Sequence, residues 1–278
     1  YLRDPDSKWI TALYPHMKSY LQWWLENRTD EQGWLHASCS WESGQDASKR
    51  FLVDGSDPAA AAKFVRTVDI EAAMAHAMQA MVRFSEVAGQ KNDVTYWKNL
   101  AEKRISRTQS MFVDGRFRDF DGRTEKPIFI KNYHSVMMLV PASLGIATQK
   151  QLVESRKTIA YFRDNYRFWL EWPSFLFPFS EAAWNTGERN MLADVLVTSG
   201  NGIFPGMDSD QILPVHSRDC PGLPDEYSYR TPGVAGEWWP YLRKREGKPD
   251  EWSRGCENYG WGATFPTLLI RNLIGFRE

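Results

Sequence analysis

The chain has 278 residues, with 34 Lys and Arg against 35 Asp and Glu and a formal net charge of −1. That balance excludes the strongly cationic surface that drives binding to nucleic acid or an anionic membrane. Apolar residues at 42% and charged residues at 25% suit a soluble globular chain, long enough for one large domain or two small ones.

The predicted elements are helices. Residues 8–26 form an amphipathic helix in which Trp9, Leu13, Met17, Tyr20 and Trp24 recur at spacings of three and four. A long polar loop, 27–62, contains the run "CSWESGQDASKRF" at 39–51. This run is too polar for a strand and too rich in Ser and Gly for a good helix. Residues 64–88 read as a second long helix closed by Gly89, and 93–112 as a third with Trp97, Leu100, Ala101 and Ile105 on one side. The segment 113–126 is rich in turn residues. A short helix near 133–145 and another at 148–163 follow, the latter opened by a capping box of Thr148 and Gln151. Residues 172–187 enter a helix through Pro173, 188–199 form another, and 260–276 a last one. Between them, 200–257 is a Pro- and Gly-rich excursion. No strand run and no Gly-rich phosphate loop stands out, so the class is all-α. Long loops within a helical domain are usually functional, and those at 27–62 and 200–257 are expected to meet at one end of the fold.

Three features bound the chemistry. The 13 Trp, 11 Tyr and 15 Phe can fill a large core. They also suit a sugar-binding cleft, where the apolar face of a pyranose stacks on an indole. Cys39, Cys220 and Cys256 show no metal-ligand spacing, and neither do His36, His76, His134 and His216, so no metal or cofactor is expected. His76 reads as a core residue on an apolar helix face. The sequon at Asn27 leans towards secretion and the third, unpaired thiol leans against it. No run of 18 apolar residues and no signal peptide is present.

The run Trp41–Phe51 resembles the W-E-S-G-x-D signature of the six-hairpin glycosidases, which include processing α-glucosidase I, its bacterial relatives, mannosylglycerate hydrolase and, more distantly, trehalase. Other pieces agree in order: "LYPHMKSYLQWW" (13–24), "VDIEAAMAHA" (68–77), "GRFRDFD" (115–121), "YRFWLEWP" (166–173) and "ENYGWGATFP" (257–266). The resemblance implies an (α/α)6 toroid, with 1–278 as one catalytic domain that forms the C-terminal portion of a longer module. The first residue is Tyr rather than Met, and fewer than twelve helices are visible. The opening hairpins are therefore expected to come from a preceding segment, retained as an N-terminal companion chain, or else the toroid is shortened.

The resemblance further implies an inverting hydrolase of an α-glucosidic or α-mannosidic bond in an oligosaccharide or small glycoside. Asp46 is then the general acid. The base lies among Glu226, Glu237 and Glu257, with Glu257 favoured because inner-helix N-termini face the cleft in that fold. Trp41, Glu42, Arg50 and Asp69 would bind or orient sugar, and Trp172, Trp238 and Trp261 would wall subsites. Phe168 and Trp169 stand where relatives carry Arg-Gly; either the glycone differs or another Arg, with Arg167 the candidate, replaces that guanidinium. Two other readings share the toroid: a lyase or epimerase that would use His36 and His134, and a non-catalytic carbohydrate-binding subunit.

Overall fold

Helix α1 (Lys8–Asn27) opens the part of the molecule that the computed structural model describes, which comprises residues 7–45, 48–53, 57–131, 134–164, 175–193, 196 and 261–277. The chain divides into two units, Tyr1–Ser155 and Arg156–Glu278.

In the first unit, α3 (Val68–Val87) and α4 (Lys91–Ser110) form a helical hairpin, and α1 packs on α3. The short helix α2 (Pro58–Ala61) precedes them, with Asp57 as its N-cap accepting from the Ala59 amide. Gly89, with φ of +72°, makes the reversal between α3 and α4. The core between the three long helices holds Tyr14, Leu21, Met74, Met78, Met81, Trp97 and Ala101.

The α1 stripe predicted from sequence is half right. Met17 and Trp24 do pack on this core. Trp9, Leu13 and Tyr20 are exposed, however, and Ile10, Tyr14 and Leu21 are buried in their place. The helix is apolar on two faces, so spacing alone does not choose between them. Polar bonds choose. The Tyr14 hydroxyl donates to Asp93 Oδ2 at 2.7 Å, accepts from Trp97 Nε1 at 3.0 Å and lies 2.9 Å from Ser85 Oγ. Lys18 closes the cluster on Asp93 at 2.7 Å. Burial raises the Tyr14 pKa, while the Lys18 bond, followed by the one from Tyr14, lowers that of Asp93.

Two further expectations are corrected. His76 is exposed, because the buried face of α3 runs through Glu71, Met74, Ala75, Met78, Met81 and Ser85. The second helix begins at Val68 rather than at 64, because Val65–Arg66 is a strand. Strands are short but present: β1 (Val65–Arg66), β2 (Phe112–Val113), β3 (Arg116–Phe117), β4 (Phe120–Asp121) and β5 (Lys126–Pro127). β1, β4 and β5 form one antiparallel sheet, with Val65 opposite Asp121 and Phe120 opposite Pro127. β2 and β3 form a hairpin across Asp114 and Gly115, both left-handed. Two-residue strands carry no period for a sequence to display.

The region near 133–145 resolves into a tight turn at Val136–Leu139 and α5 (Val140–Ser143). Helix α6 (Gln149–Asp164) opens with the expected capping box: the Thr148 amide donates to Gln151 Oε1 at 2.9 Å and the Gln151 amide to Thr148 Oγ1 at 3.3 Å. In the second unit, α7 (Leu176–Asn185) packs against α8 (Trp261–Leu268), which continues as a widened turn to Leu273. Glu181 of α7 is buried and accepts from Arg277 at 2.8 Å. Pro173 and 200–257 lie outside the described residues. Among the described residues no helix is long and apolar enough to cross a membrane.

Tyr14→Phe leaves the buried Trp97 indole N–H without its acceptor and removes one bond to Asp93, which keeps Lys18. A loss of about 1–2 kcal/mol is expected by thermal denaturation, against about 0.5 kcal/mol or less for His76→Ala.

Candidate active site

The signature run folds as a set of tight turns rather than a helix. Ser40–Ser43 makes one short turn, ended by Gly44 with φ of +65°, and Lys49–Phe51 makes another. Ser43 Oγ donates to Ser40 O at 2.6 Å and accepts from the Gln45 amide at 3.1 Å. The Ser48 amide donates to Gln45 O at 2.9 Å. Small polar side chains thus replace the ladder bonds that the segment lacks.

At the centre is Arg50, only 2% exposed. Its Nε and Nη2 reach Asp119 Oδ2 and Oδ1 at 2.9 and 2.8 Å, a two-pronged carboxylate pair. Nη2 also reaches Asp69 Oδ1 at 2.6 Å, and Nη1 donates to Gln45 Oε1 at 2.7 Å. Asp119 Oδ1 accepts the Val68 amide at the start of α3 at 3.0 Å, and Ser135 Oγ lies 3.3 Å from Gln45 Oε1. Burial pulls the Arg50 pKa down, but Asp119 and Asp69 outweigh it and the net shift is upward. Arg50 is therefore a buried framework residue and does not belong to a surface loop. Asp69, in the first turn of α3, is one of its two carboxylate partners.

Glu42 is held from the other side. Arg28, just past α1, donates to it through Nε at 2.8 Å and Nη2 at 2.5 Å, and the Ser38 amide donates at 2.6 Å. Chiefly because of the Arg28 bonds, its carboxyl lies below the ordinary carboxylate range. Glu42 is thus an ionised anchor of the loop. Trp41, immediately before Glu42, is 68% exposed.

Asp46, Glu226, Glu237, Glu257, Trp172 and Trp238 lie outside the described residues, and so do Arg167, Phe168 and Trp169. Trp261 opens α8. Of the expected site residues, the structure brings Arg50 and Asp69 together, with Glu42 and Trp41 on the same loop as Arg50. Three partners carry little sequence signal. Asp119 sits in the turn-rich "GRFRDFD", Gln45 fills the variable position of the signature, and Arg28 looks like an ordinary helix end.

Residues 1–177 match the family described as the mannosylglycerate hydrolase MGH1-like glycoside hydrolase domain. The chain belongs to this family. The matched stretch contains the whole of the Arg50 cluster and residue 46, and it ends before the three candidate bases. Among solved structures, the chain is similar to the GH63 mannosylglycerate hydrolase from Thermus thermophilus in complex with glucose. The TM-score is 0.66 at 14% identity, covering 98% of this chain and 72% of that one. It is also similar to the GH78 family rhamnosidase of Bacillus sp. GL1, with a TM-score of 0.60 at 14% identity, covering 95% of this chain and 24% of that one. Curated proteins give no match. Together these place the chain among helical-toroid glycoside hydrolases of the (α/α)6 type, enzymes that hydrolyse glycosidic bonds.

Arg50→Met leaves Asp69 and Asp119 buried without their cation. A loss of about 3–5 kcal/mol is expected in urea unfolding, and Arg50→Lys is expected to recover only part of it because an ammonium has no planar fork. The Glu42 pair has the sign of a depressed carboxyl. Its contribution is complete above the ordinary Glu value of about 4.3 and is lost as pH falls through the lower folded value. Unfolding of wild type and Arg28→Met should therefore differ at pH 7 and converge in acid; a gap that persists at low pH contradicts the assignment.

Proposed function

We propose that the chain is an inverting α-glycosidase acting on an α-glucoside or α-mannoside, with Asp46 as the general acid. The observation that carries the reading is the anchoring of the chain on both sides of Asp46. Gln45 precedes it and Arg50 follows it, and the two are joined by a 2.7 Å hydrogen bond within a buried cluster. A general acid must be held to a fraction of an ångström against the leaving oxygen, and rigid neighbours do that.

The electrostatics agree. A free guanidinium four residues away would hold Asp46 ionised, the wrong state for an acid. Arg50 is bound by two carboxylates, Asp69 and Asp119, so the cluster sums to one negative charge. A neighbouring negative charge raises a carboxyl pKa and favours the proton that the acid must deliver. Inversion then needs a second carboxylate roughly 6.5–9.5 Å from the first, on the far side of the sugar, to take a proton from the attacking water. Glu257, Glu226 and Glu237 are the candidates, in that order. Exposed Trp41 offers an indole face for stacking on sugar, and Glu42, fixed by Arg28, holds the loop that presents it.

We also infer a companion chain that supplies further helices. Trp9, Leu13 and Tyr20 form an exposed apolar face on α1, which a packed helix would cover.

Asp46→Asn is expected to lower turnover of an aryl α-glycoside by at least about a hundredfold, with the β-anomer of the free sugar as first product of the wild type by NMR. Full activity in that variant, or an initial α-anomer, contradicts the mechanism. Among separate Gln substitutions at Glu226, Glu237 and Glu257, only the base variant should lose nearly all turnover while still binding product. Mass spectrometry of the intact sample should show a second species beside the 32.2 kDa chain; a single species rules out the companion.

A further inference from the structure

The described residues include four buried arginines: Arg50, Arg66, Arg104 and Arg118. Three of them meet carboxylates, Arg50 with Asp69 and Asp119, Arg66 with Asp30, and Arg104 with Glu71. Among the described residues Arg118 meets none. It is 8% exposed, its Nε is buried without a hydrogen-bond partner, and its guanidinium lies over the Phe129 ring at 4.1 Å. A buried cation without an acceptor is costly to keep, and folded proteins rarely leave one so.

Local structure places a second guanidinium beside it. Phe117 turns into the core with Val68, Met111 and Met138, so Arg116 and Arg118, on either side of it in sequence, are directed away from that core. The Arg118 amide is tied to Met111 O at 3.0 Å, which fixes the backbone there. Arg116 Nη1 contacts the His134 ring nitrogens at 2.5 and 3.1 Å. Like charges gathered in a half-buried place repel unless something negative joins them. Among the described residues Asp114, on the hairpin turn, is the one carboxylate whose charge reaches Arg118, while Arg116 opposes it.

We propose that Arg116, Arg118 and His134 form a site for an oxyanion, the carboxylate or phosphate group of a small ligand. Guanidinium donors match both groups, and the open edge of Arg118 supplies the Nε–H that a two-pronged contact uses. The Phe129 ring holds one face of that guanidinium, so its in-plane donors are oriented before the anion arrives. Burial first, then Arg116 and Arg118, push the His134 pKa down to about 4. Its ring is neutral at pH 7, and a bound anion would reverse part of that shift. Arg118 and His134 adjoin Asp119 and Ser135 of the Arg50 cluster in sequence, but the test reads anion binding rather than turnover, so it stands or falls independently of the glycosidase mechanism.

The experiment is calorimetric titration of the full chain with inorganic phosphate and with acetate at pH 7 and fixed ionic strength, with the His134 pKa followed by NMR. Saturable binding is expected, at least tenfold weaker in Arg116→Met and in Arg118→Met, with an upward shift of the His134 pKa at saturation. Preference for acetate or for phosphate identifies the group as planar or tetrahedral. Arg116 is only half-buried, so Arg116→Met provides the decisive comparison if Arg118→Met fails to fold. Absence of saturable binding by either anion, or binding unchanged in Arg116→Met, overturns the proposal.

Discussion

A guanidinium removed from water must find acceptors for its donors, and much of the first unit is organised around that requirement at Arg50. Its partners come from separate parts of the chain: Gln45 from the signature loop, Asp69 from the first turn of α3, and Asp119 from beyond the β2–β3 hairpin. Asp119 also caps α3 through the Val68 amide. One buried charge therefore fixes the start of a long helix, the end of a hairpin and both sides of residue 46. Two carboxylates against one cation leave the cluster with one net negative charge.

The same accounting operates in the helical layer. Tyr14 is buried among Met and Trp side chains, yet its hydroxyl is satisfied by α3 and α4 together. Glu71, fully buried on α3, accepts from Arg104 at 2.9 Å and from the Leu35 amide at 2.7 Å, although burial still raises its pKa. These bonds tie the loop after α1 to the hairpin that carries Asp69. The rigidity that a catalytic loop needs thus comes from polar groups that have no water to turn to. Arg118 departs from this pattern: of the four buried arginines among the described residues, it is the one that meets no carboxylate.

The loop that carries Trp41, Glu42 and Arg50 was legible because it is local. The Trp41–Arg50 run carries its chemistry within ten residues, and its order among the other pieces of the chain pointed to the toroid before any contact was visible. Asp119 was less legible. It lies 69 residues from Arg50, in a stretch that reads only as turns, and nothing in its spacing announces a buried partner. The α1 stripe and His76 were misjudged for a related reason. Periodicity states that a helix has an apolar face, but on a helix with more than one apolar stripe it does not state which face meets a neighbour.

The sequence by itself determined what short range decides: the long helices from their 3.6-residue period, the α6 start from its capping box, the reversal at Gly89, and the glycosidase signature with its family. Those signals act between residues close in the chain, where covalent connection fixes the geometry. The tertiary structure alone decided which side of α1 is buried, that two-residue strands form, that Arg50 belongs to Asp69 and Asp119, and that Arg118 meets no carboxylate among the described residues. Each of these is a choice among distant partners, settled by which buried polar groups can be satisfied together when the chain folds.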